Sequence, residues 1–528
     1  MLKLLLLSAC AEQAPPPNLQ IIPIETQEDV LDWRIESALE NIPEEADFQY
    51  FARMSLDIRS KRPSIEELIA YQQNPESLED FVDLWLNEPS FPAQVAWYWN
   101  DAIHTAVWAS NVDVWSDYSF ETRQALGWEP LSFIEAIVRD DLPFQKLVTM
   151  EQLPTNEVIG ALWGMEGDEH WSWAEPIDDR PMAGILSSRF LWTRYKVDFL
   201  NENRRRANHF SRIFLCHDYL DRDVDFSFDT LTDSLEDMDS AIQTLPACTS
   251  CHSSLDPLAS FFGAFQLSTN LSIAQTGGVS AFKTDWYANL RPPTYFGKPG
   301  QDIADLGQYV AEDPRFIQCS VQRIWEGLLH ETPTRNADFL SLVQEFERGN
   351  NSARSLVKSI VLSERYRAQE RHLLRPEQLS GILQNVLSFD EGTEDSGIGP
   401  LIWSAKHRIL FGSTDDYGIL QNNDSFTVGH HLILEWLTKP ISEKIAQDLQ
   451  NSPAQRELIF AANDNEAEIR AQIRTWAMQL LSYPVDQDAL MVDQLLSLWQ
   501  ESNQQYGETS AWTTVFLALL HHPDAVMR

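Results

Sequence analysis

Cysteine is scarce in this chain, with five residues among 528, and its distribution limits what the thiols can do. A tetrahedral zinc site needs four ligands, commonly cysteine or histidine. The chain has one C-x-x-C pair, Cys248-Thr-Ser-Cys251, with no second C-x-x-C or H-x3-H near it. Zinc is therefore the least favoured interpretation of this pair.

Basic residues are also few. The chain has 39 lysines and arginines against 79 aspartates and glutamates, which gives a net charge of −40. A surface of this sign repels nucleic acid and anionic lipid head groups, and it favours a basic or cationic partner. The same composition also fits a solvated surface suited to a salty habitat. We expect no nucleic-acid partner.

Long apolar runs and strand-like alternation are missing from the body of the chain. Ala511–Leu520 is the longest apolar stretch near the end, and it is too short to cross a membrane. Sustained period-two alternation bounded by Asn-Gly or Asp-Gly turns is absent, which predicts little sheet. Helical spacing of apolar residues instead recurs over Leu78–Trp85 and Leu356–Val361. We expect a mainly α, multi-domain protein.

The first ten residues, Met-Leu-Lys-Leu-Leu-Leu-Leu-Ser-Ala-Cys, resemble a bacterial lipoprotein signal. This pattern predicts a signal peptide over residues 1–9, a lipid on Cys10 and a proline-rich tether over residues 10–25. A frayed apolar N-terminus is the alternative. The expected location is the periplasm or cell surface, anchored by the lipid to the bacterial outer membrane.

Residues Cys248–His252 read Cys-Thr-Ser-Cys-His, the spacing of a c-type haem attachment site. Two thiols three positions apart can each add to a haem vinyl group, and the adjacent imidazole can bind the iron as an axial ligand. We therefore expect one covalent haem c held by Cys248, Cys251 and His252. A thiol–disulfide redox pair is the main alternative.

Apolar residues continue at helical spacing after His252. Leu255, Leu258, Phe262 and Phe265 form one stripe that could lie against a porphyrin. An ordinary core helix would show the same stripe.

Two cysteines remain after lipid and haem are assigned, Cys216 and Cys319. Leftover thiols in an oxidising compartment predict a disulfide between them. Sequence alone does not show that they are close.

Several short motifs follow one another over roughly residues 50–370. They are Arg53–Asp57, Pro63–Glu67, Trp99–Asp101, Ala183–Ser187, Asn203–Asn208, Cys248–Pro257, Phe316–Cys319, Arg323–Trp325 and Ser363–Tyr366. These motifs and their order resemble planctomycete-type cytochrome proteins of unknown function. One departure is visible, because that family's usual D-P-x-G-F continuation is Asp256-Pro-Leu-Ala-Ser260 here.

With this resemblance, we expect an N-terminal helical domain over residues 26–180, a haem-binding cytochrome c-like region over residues 181–370 and a C-terminal helical domain over residues 371–528. The resemblance implies no role for the last of these.

The sequence does not assign the sixth iron ligand. In small cytochromes c this ligand is a methionine soon after the haem motif, but no methionine occurs here between His252 and Met478. We favour Met182, since the resemblance implies that a histidine can occupy its position; a methionine filling a core gap is the alternative. His209 is the second choice. The full set considered is Met150, Met165, Met182, Met238, His170, His209, His217 and His330.

The expected function is electron transfer by a membrane-anchored, extracytoplasmic monohaem cytochrome with a redox partner protein, which its charge predicts to be basic. A haem-dependent oxidoreductase or peroxidase-like enzyme and a glycan-binding scaffold are the alternatives. The stretch Glu166–Trp173 is interpreted as a surface loop. His430-His431 and His521-His522 are interpreted as structural, because adjacent positions on a helix point to different faces.

Overall fold

The structure is a computed structural model. It describes residues 47–111, 118–163, 165–176, 181–195, 203–221, 242, 244–263, 292–390, 392–459, 465–485 and 489–528. The predicted signal peptide, Cys10, the tether, Met238 and Phe265 lie outside the described residues.

Helices dominate the described residues, as the spacing of apolar residues predicts. The helices before residue 300 are α1 (Phe48–Arg59), α2 (Ile65–Gln73), α3 (Leu78–Trp85), α4 (Ser90–Ile103), α5 (Phe120–Arg139), α6 (Lys146–Thr149), α7 (Glu157–Trp163), α8 (Arg189–Arg194), α9 (Arg204–Leu215) and α10 (Pro246–Ala259).

The later helices continue the same numbering. They are α11 (Ile303–Ala311), α12 (Pro314–Leu329), α13 (Ala337–Arg348), α14 (Ala353–Val361), α15 (Glu364–Arg367), α16 (Pro376–Leu387), α17 (Pro400–Trp403), α18 (Ala405–Leu410), α19 (Val428–Trp436), α20 (Thr438–Gln450), α21 (Glu466–Leu481), α22 (Leu490–Tyr506), α23 (Glu508–Leu520) and α24 (Pro523–Val526). Short 3₁₀ turns lie at Pro75–Ser77, Trp108–Asn111, Ser260–Phe262 and Pro453–Gln455.

The strands of the described residues are two short antiparallel pairs. β1 (Leu153–Thr155) pairs with β2 (Ser172–Ala174), and β3 (Thr294–Tyr295) pairs with β4 (Lys298–Pro299). The prediction of a mainly α protein is confirmed. Among the described helices, none has the length and apolar character needed to cross a membrane.

Capping residues explain where several helices begin. Ser64 precedes α2 and accepts a hydrogen bond from the Glu67 backbone N–H, while the Glu67 carboxylate accepts one from the Ser64 N–H. This reciprocal pair satisfies two N–H groups that a helix start leaves without a partner. Proline opens α10 at Pro246, where a missing N–H costs nothing and the fixed φ suits the first turn.

The buried apolar side chains form two cores. Residues between Tyr50 and Tyr366, joined by Ile402 and Trp403, make the first core. Residues between Leu374 and Val526, joined by Leu56 and Ile65, make the second core. The predicted boundary at residues 180 and 181 therefore lies inside one continuous core, whereas the boundary at residues 370 and 371 falls between the two cores.

Helix α1 belongs to both cores. Phe51 is buried in the first core and Leu56 in the second. Asp57, the next residue of the same helix, is also buried. Its carboxylate accepts hydrogen bonds from Tyr366 Oη at 2.6 Å and from Gln378 Nε2 at 3.1 Å, and it forms an ion pair with Arg528 near the C-terminus. A buried carboxylate with three partners fixes the two cores to one another at this point.

Candidate functional site

Helix α10 presents the two thiols of the C-x-x-C-H motif on one helical turn. Cys248 and Cys251 lie three positions apart, so their side chains share a face. Both are free thiols and both are partly exposed. The Cys251 Sγ donates a weak hydrogen bond to the Tyr219 carbonyl at 3.8 Å. Attachment of haem through two thioether bonds, as the sequence predicts, requires two accessible sulfurs on one helical turn.

His252 is oriented by a carboxylate one turn further along the same helix. Its Nδ1 lies 2.8 Å from Asp256 Oδ1. An ionised carboxylate only accepts hydrogen bonds, so Nδ1 of a neutral imidazole carries the proton and donates it. The Nε2 lone pair then remains available to a metal, and the imidazole side chain is 24% exposed.

Asp256 is itself held by a guanidinium from α9. Arg204 donates from Nε at 2.7 Å and from Nη2 at 3.1 Å, one bond to each carboxylate oxygen. Burial alone would raise the pKa of Asp256, but the hydrogen bonds from His252 and Arg204 lower it to about 2. The acceptor behind His252 is therefore an anion at any physiological pH.

The apolar stripe that follows the motif lies in the first core. Leu258 and Phe262 are buried, and the Phe262 ring packs 4.5 Å from Trp192 and 5.9 Å from Phe210 between centroids. The sequence allowed either a haem contact or a core helix for this stripe, and Phe262, in the 3₁₀ turn that follows α10, makes packing contacts within the first core. The stripe anchors the C-terminal half of α10 and leaves its N-terminal half, which carries the motif, half-exposed.

The disulfide partners predicted from the sequence are joined. Cys216 and Cys319, which are 103 positions apart in the sequence, form a disulfide with their Cα atoms 5.3 Å apart. Cys216 is the residue at the C-terminal end of α9, and Cys319 lies within α12. The bond therefore fixes the helix that carries Arg204 to the first core.

Met182, the favoured sixth ligand, is buried in the first core with 7% of its side chain exposed. The next residues hold its segment in place, because the Gly184 N–H donates to the Met150 carbonyl at 2.8 Å and Ala183 packs against Gly307. Gly307 lies in α11, and α11 contacts the 3₁₀ turn that follows α10. Met182 as a ligand stays a prediction.

His209, the second choice, lines a cavity on a different face of α9 from Arg204. Its ring stacks on Tyr195 with centroids 3.7 Å apart. Burial and the nearby guanidinium groups of Arg212, Arg205 and Arg194 lower the pKa of His209 to about 3. The cavity has a volume of about 910 Å³. This imidazole is therefore neutral and ligand-competent, and its role as the sixth ligand also stays a prediction.

His217 is connected to the motif by a short chain of contacts that its sequence position did not signal. Its ring lies 4.9 Å from that of Tyr219. Tyr219 in turn accepts from the Cys251 thiol and bonds Ser254 through its hydroxyl at 3.2 Å. His217 is therefore linked to α10 through a single intervening residue, Tyr219.

Comparison with known proteins finds one family. Residues 29–260, less than half of the chain, match PSCyt2, described as a protein of unknown function (DUF1549). The expected resemblance to a family of unknown function is confirmed over these residues, which include the C-x-x-C-H motif. The comparisons find no curated protein and no solved structure that match the chain.

Proposed function

We propose that this chain is a lipid-anchored, extracytoplasmic monohaem c-type cytochrome that transfers electrons. One observation carries the proposal: two free, half-exposed thiols on one turn of α10 stand beside an imidazole whose Nδ1 is already engaged by a buried carboxylate. A histidine that binds a metal commonly donates its other ring N–H to such an acceptor. A thiol–disulfide pair does not require an imidazole whose second nitrogen is kept available for a metal.

The residues present fit a covalent haem. Cys248 and Cys251 would supply the two thioether bonds, and His252 Nε2 would bind the iron. Bound haem supplies one-electron chemistry at iron. The chain contributes the orientation of the imidazole, because Asp256 and Arg204 fix the ring plane from behind. An anionic acceptor raises the basicity of the imidazole, which favours the ferric form and lowers the reduction potential.

The net charge of −40 supports a cationic or basic redox partner, since complementary potentials accelerate encounter. Export supports the same proposal. Thioether attachment of haem takes place outside the bacterial cytoplasm, and the first ten residues resemble a lipoprotein signal. Location in the periplasm or at the cell surface, with an outer-membrane anchor on Cys10, is part of the proposal.

A haem-dependent oxidoreductase is the second candidate, favoured by one feature. The cavity beside His209 is lined by four guanidinium groups and by the Tyr195 ring, so it could admit a small anionic substrate. The guanidinium groups belong to Arg194, Arg205, Arg212 and Arg323.

Absorption spectra of the ferrous protein with and without carbon monoxide separate the two candidates. A carrier with six ligands gives a low-spin spectrum that carbon monoxide leaves unchanged. Binding of carbon monoxide would reveal an open or weakly held sixth position and would favour the enzyme. Met182→Ala, His209→Ala and His217→Ala then identify the ligand, since only the variant that loses it gains carbon monoxide binding. All three variants keep Phe210, the buried residue that follows His209 on α9.

A further inference from the structure

The two adjacent histidine pairs of the C-terminal half each divide into a structural member and an exposed member. His430 is buried, and its Nδ1 accepts a hydrogen bond from the Thr427 N–H at 3.1 Å at the start of α19. His522 Nδ1 accepts from the Asp524 N–H at 3.2 Å at the start of α24. The His430 and His522 imidazoles therefore cap helices, which agrees with the interpretation of these two residues as structural.

The other two imidazoles converge on one carboxylate. His431 and Glu435 lie one turn apart on α19, and His521 follows the end of α23. His431 Nε2 lies 3.9 Å and His521 Nε2 4.0 Å from the same atom, Glu435 Oε1. The three ligand atoms all lie within 4.8 Å of one another.

The hydrogen bond behind His521 fixes what this imidazole presents to Glu435. Its Nδ1 lies 2.7 Å from the Leu517 carbonyl oxygen. A carbonyl oxygen only accepts, so Nδ1 carries the proton, and a neutral His521 turns the Nε2 lone pair towards the Glu435 carboxylate. Two acceptors that face each other can be bridged by a water molecule, by a second proton on the ring or by a metal ion.

We propose that His431, Glu435 and His521 bind one zinc-class divalent metal ion. Two imidazoles and a carboxylate are a ligand set that suits zinc and other borderline transition metals, whereas magnesium and calcium prefer oxygen alone. With bonds of about 2.0–2.1 Å, tetrahedral ligand atoms lie roughly 3.3–3.5 Å apart. The two imidazoles lie 3.9 and 4.0 Å from the carboxylate oxygen and no more than 4.8 Å from each other, so exposed side chains reach that spacing by rotamer adjustments of roughly an ångström.

Three protein ligands leave the fourth position of the ion open to water or to a group from outside the chain. The ion would connect α19 to α23 at the surface of the second core, where both helices contribute buried residues. The proposal is independent of haem, because all three ligands lie at the surface of the second core, whereas the C-x-x-C-H motif lies at the surface of the first.

Calorimetric titration of the full, haem-containing chain with zinc chloride, after removal of metals with a chelator, tests the site. We expect one equivalent of zinc to bind with excess magnesium present. The variants His431→Ala and His521→Ala should each weaken that binding by about 100-fold or more, since loss of even an outer partner of a ligand costs 10- to 100-fold. Glu435→Gln should weaken it in the same direction.

Two controls keep the test specific. His170 is an exposed imidazole beside Glu169 and Asp168 but has no second imidazole in its loop, so His170→Ala should leave zinc affinity unchanged. His522→Ala removes the neighbour of a ligand and should leave it unchanged as well. Circular dichroism checks that each variant is folded. The proposal is overturned if wild-type protein binds no zinc, or if the same equivalent binds to a folded His431→Ala/His521→Ala double variant.

Discussion

His252 and His521 each have one ring nitrogen engaged and the other open, but the acceptors behind them differ. His252 donates to the Asp256 carboxylate, which is an anion buried in the first core. His521 donates to the neutral Leu517 carbonyl at the surface of the second core. Both acceptors fix the tautomer of the histidine that they face. The Asp256 carboxylate, as an anion, also raises the basicity of the His252 imidazole.

Burial separates the two sites as sharply as charge does. The Asp256 side chain is 6% exposed and has Arg204 as a second partner. The Glu435 side chain is 60% exposed, and its distances to the two imidazoles are long. The first site is therefore preorganised by the fold, whereas the second depends on an ion to draw its ligands together. Changes to the first should alter haem binding and stability, and changes to the second should alter metal affinity and the stability that bound metal adds.

The largest expected effect is complete loss of covalent haem from the Cys248→Ala/Cys251→Ala variant, because both thioether bonds are removed. Haem-dependent peroxidase staining of denatured protein measures it. Zinc affinity should be the same as in the wild type. A change in zinc affinity would show that the two sites are coupled.

Removal of the disulfide in Cys216→Ala/Cys319→Ala should lower the free energy of unfolding by roughly 4–5 kcal/mol, because the bond closes a loop of about 100 residues. Urea titration followed by tryptophan fluorescence measures this loss. The covalent haem should be retained, since the bond lies outside the motif. A loss below about 1 kcal/mol would mean that other contacts already constrain α9.

Zinc should stabilise the second core by about 2.7 kcal/mol when its free concentration is 100 times the dissociation constant. Thermal unfolding with and without a chelator measures the shift. We expect the shift to disappear in His521→Ala and to persist in His170→Ala. Equal shifts in both variants would place the zinc elsewhere.

Asp256→Asn should cost about 2 kcal/mol, since a hydrogen bond to a charged partner contributes roughly 1.5–3 kcal/mol and Arg204 would lose its counter-charge. The reduction potential should rise, because a neutral amide no longer favours ferric iron. Potentiometric titration checks its direction. Arg204→Lys keeps the charge of the site and should move the potential less. A fall in potential in Asp256→Asn would contradict an anionic acceptor behind the axial imidazole.

The smallest expected effect comes from His522→Ala, which removes a side-chain cap from the four-residue helix α24. Loss of a cap costs on the order of 1 kcal/mol or less in a short terminal helix. Thermal unfolding measures it, and zinc affinity should not change. This variant separates the structural histidine of the pair from the proposed ligand beside it.

Local patterns predicted much of the fold. The apolar spacing over Leu78–Trp85 and Leu356–Val361 matches α3 and α14. A helix of this kind is set by neighbours three and four positions away, which a sequence displays directly. The expected boundary at residues 370 and 371 came from the family resemblance and not from local patterns.

Contacts between residues far apart in the sequence could not be predicted from such local patterns. Arg204 meets Asp256 across 52 positions through the packing of α9 on α10. For the histidine pairs, the rule that adjacent residues face apart correctly separated each pair, but it says nothing about which members meet across helices. His431 and His521 come together because α19 and α23 share the second core, and only the tertiary structure brings this about.

The most direct test is the pyridine haemochrome spectrum of full-length protein produced in a periplasm with haem attachment enzymes, after acidic acetone has removed non-covalent haem. We expect one haem c per chain, with the bands of two saturated thioether links, and none in Cys248→Ala/Cys251→Ala. Wild-type protein that is folded and exported but retains no haem after extraction would contradict the proposed function.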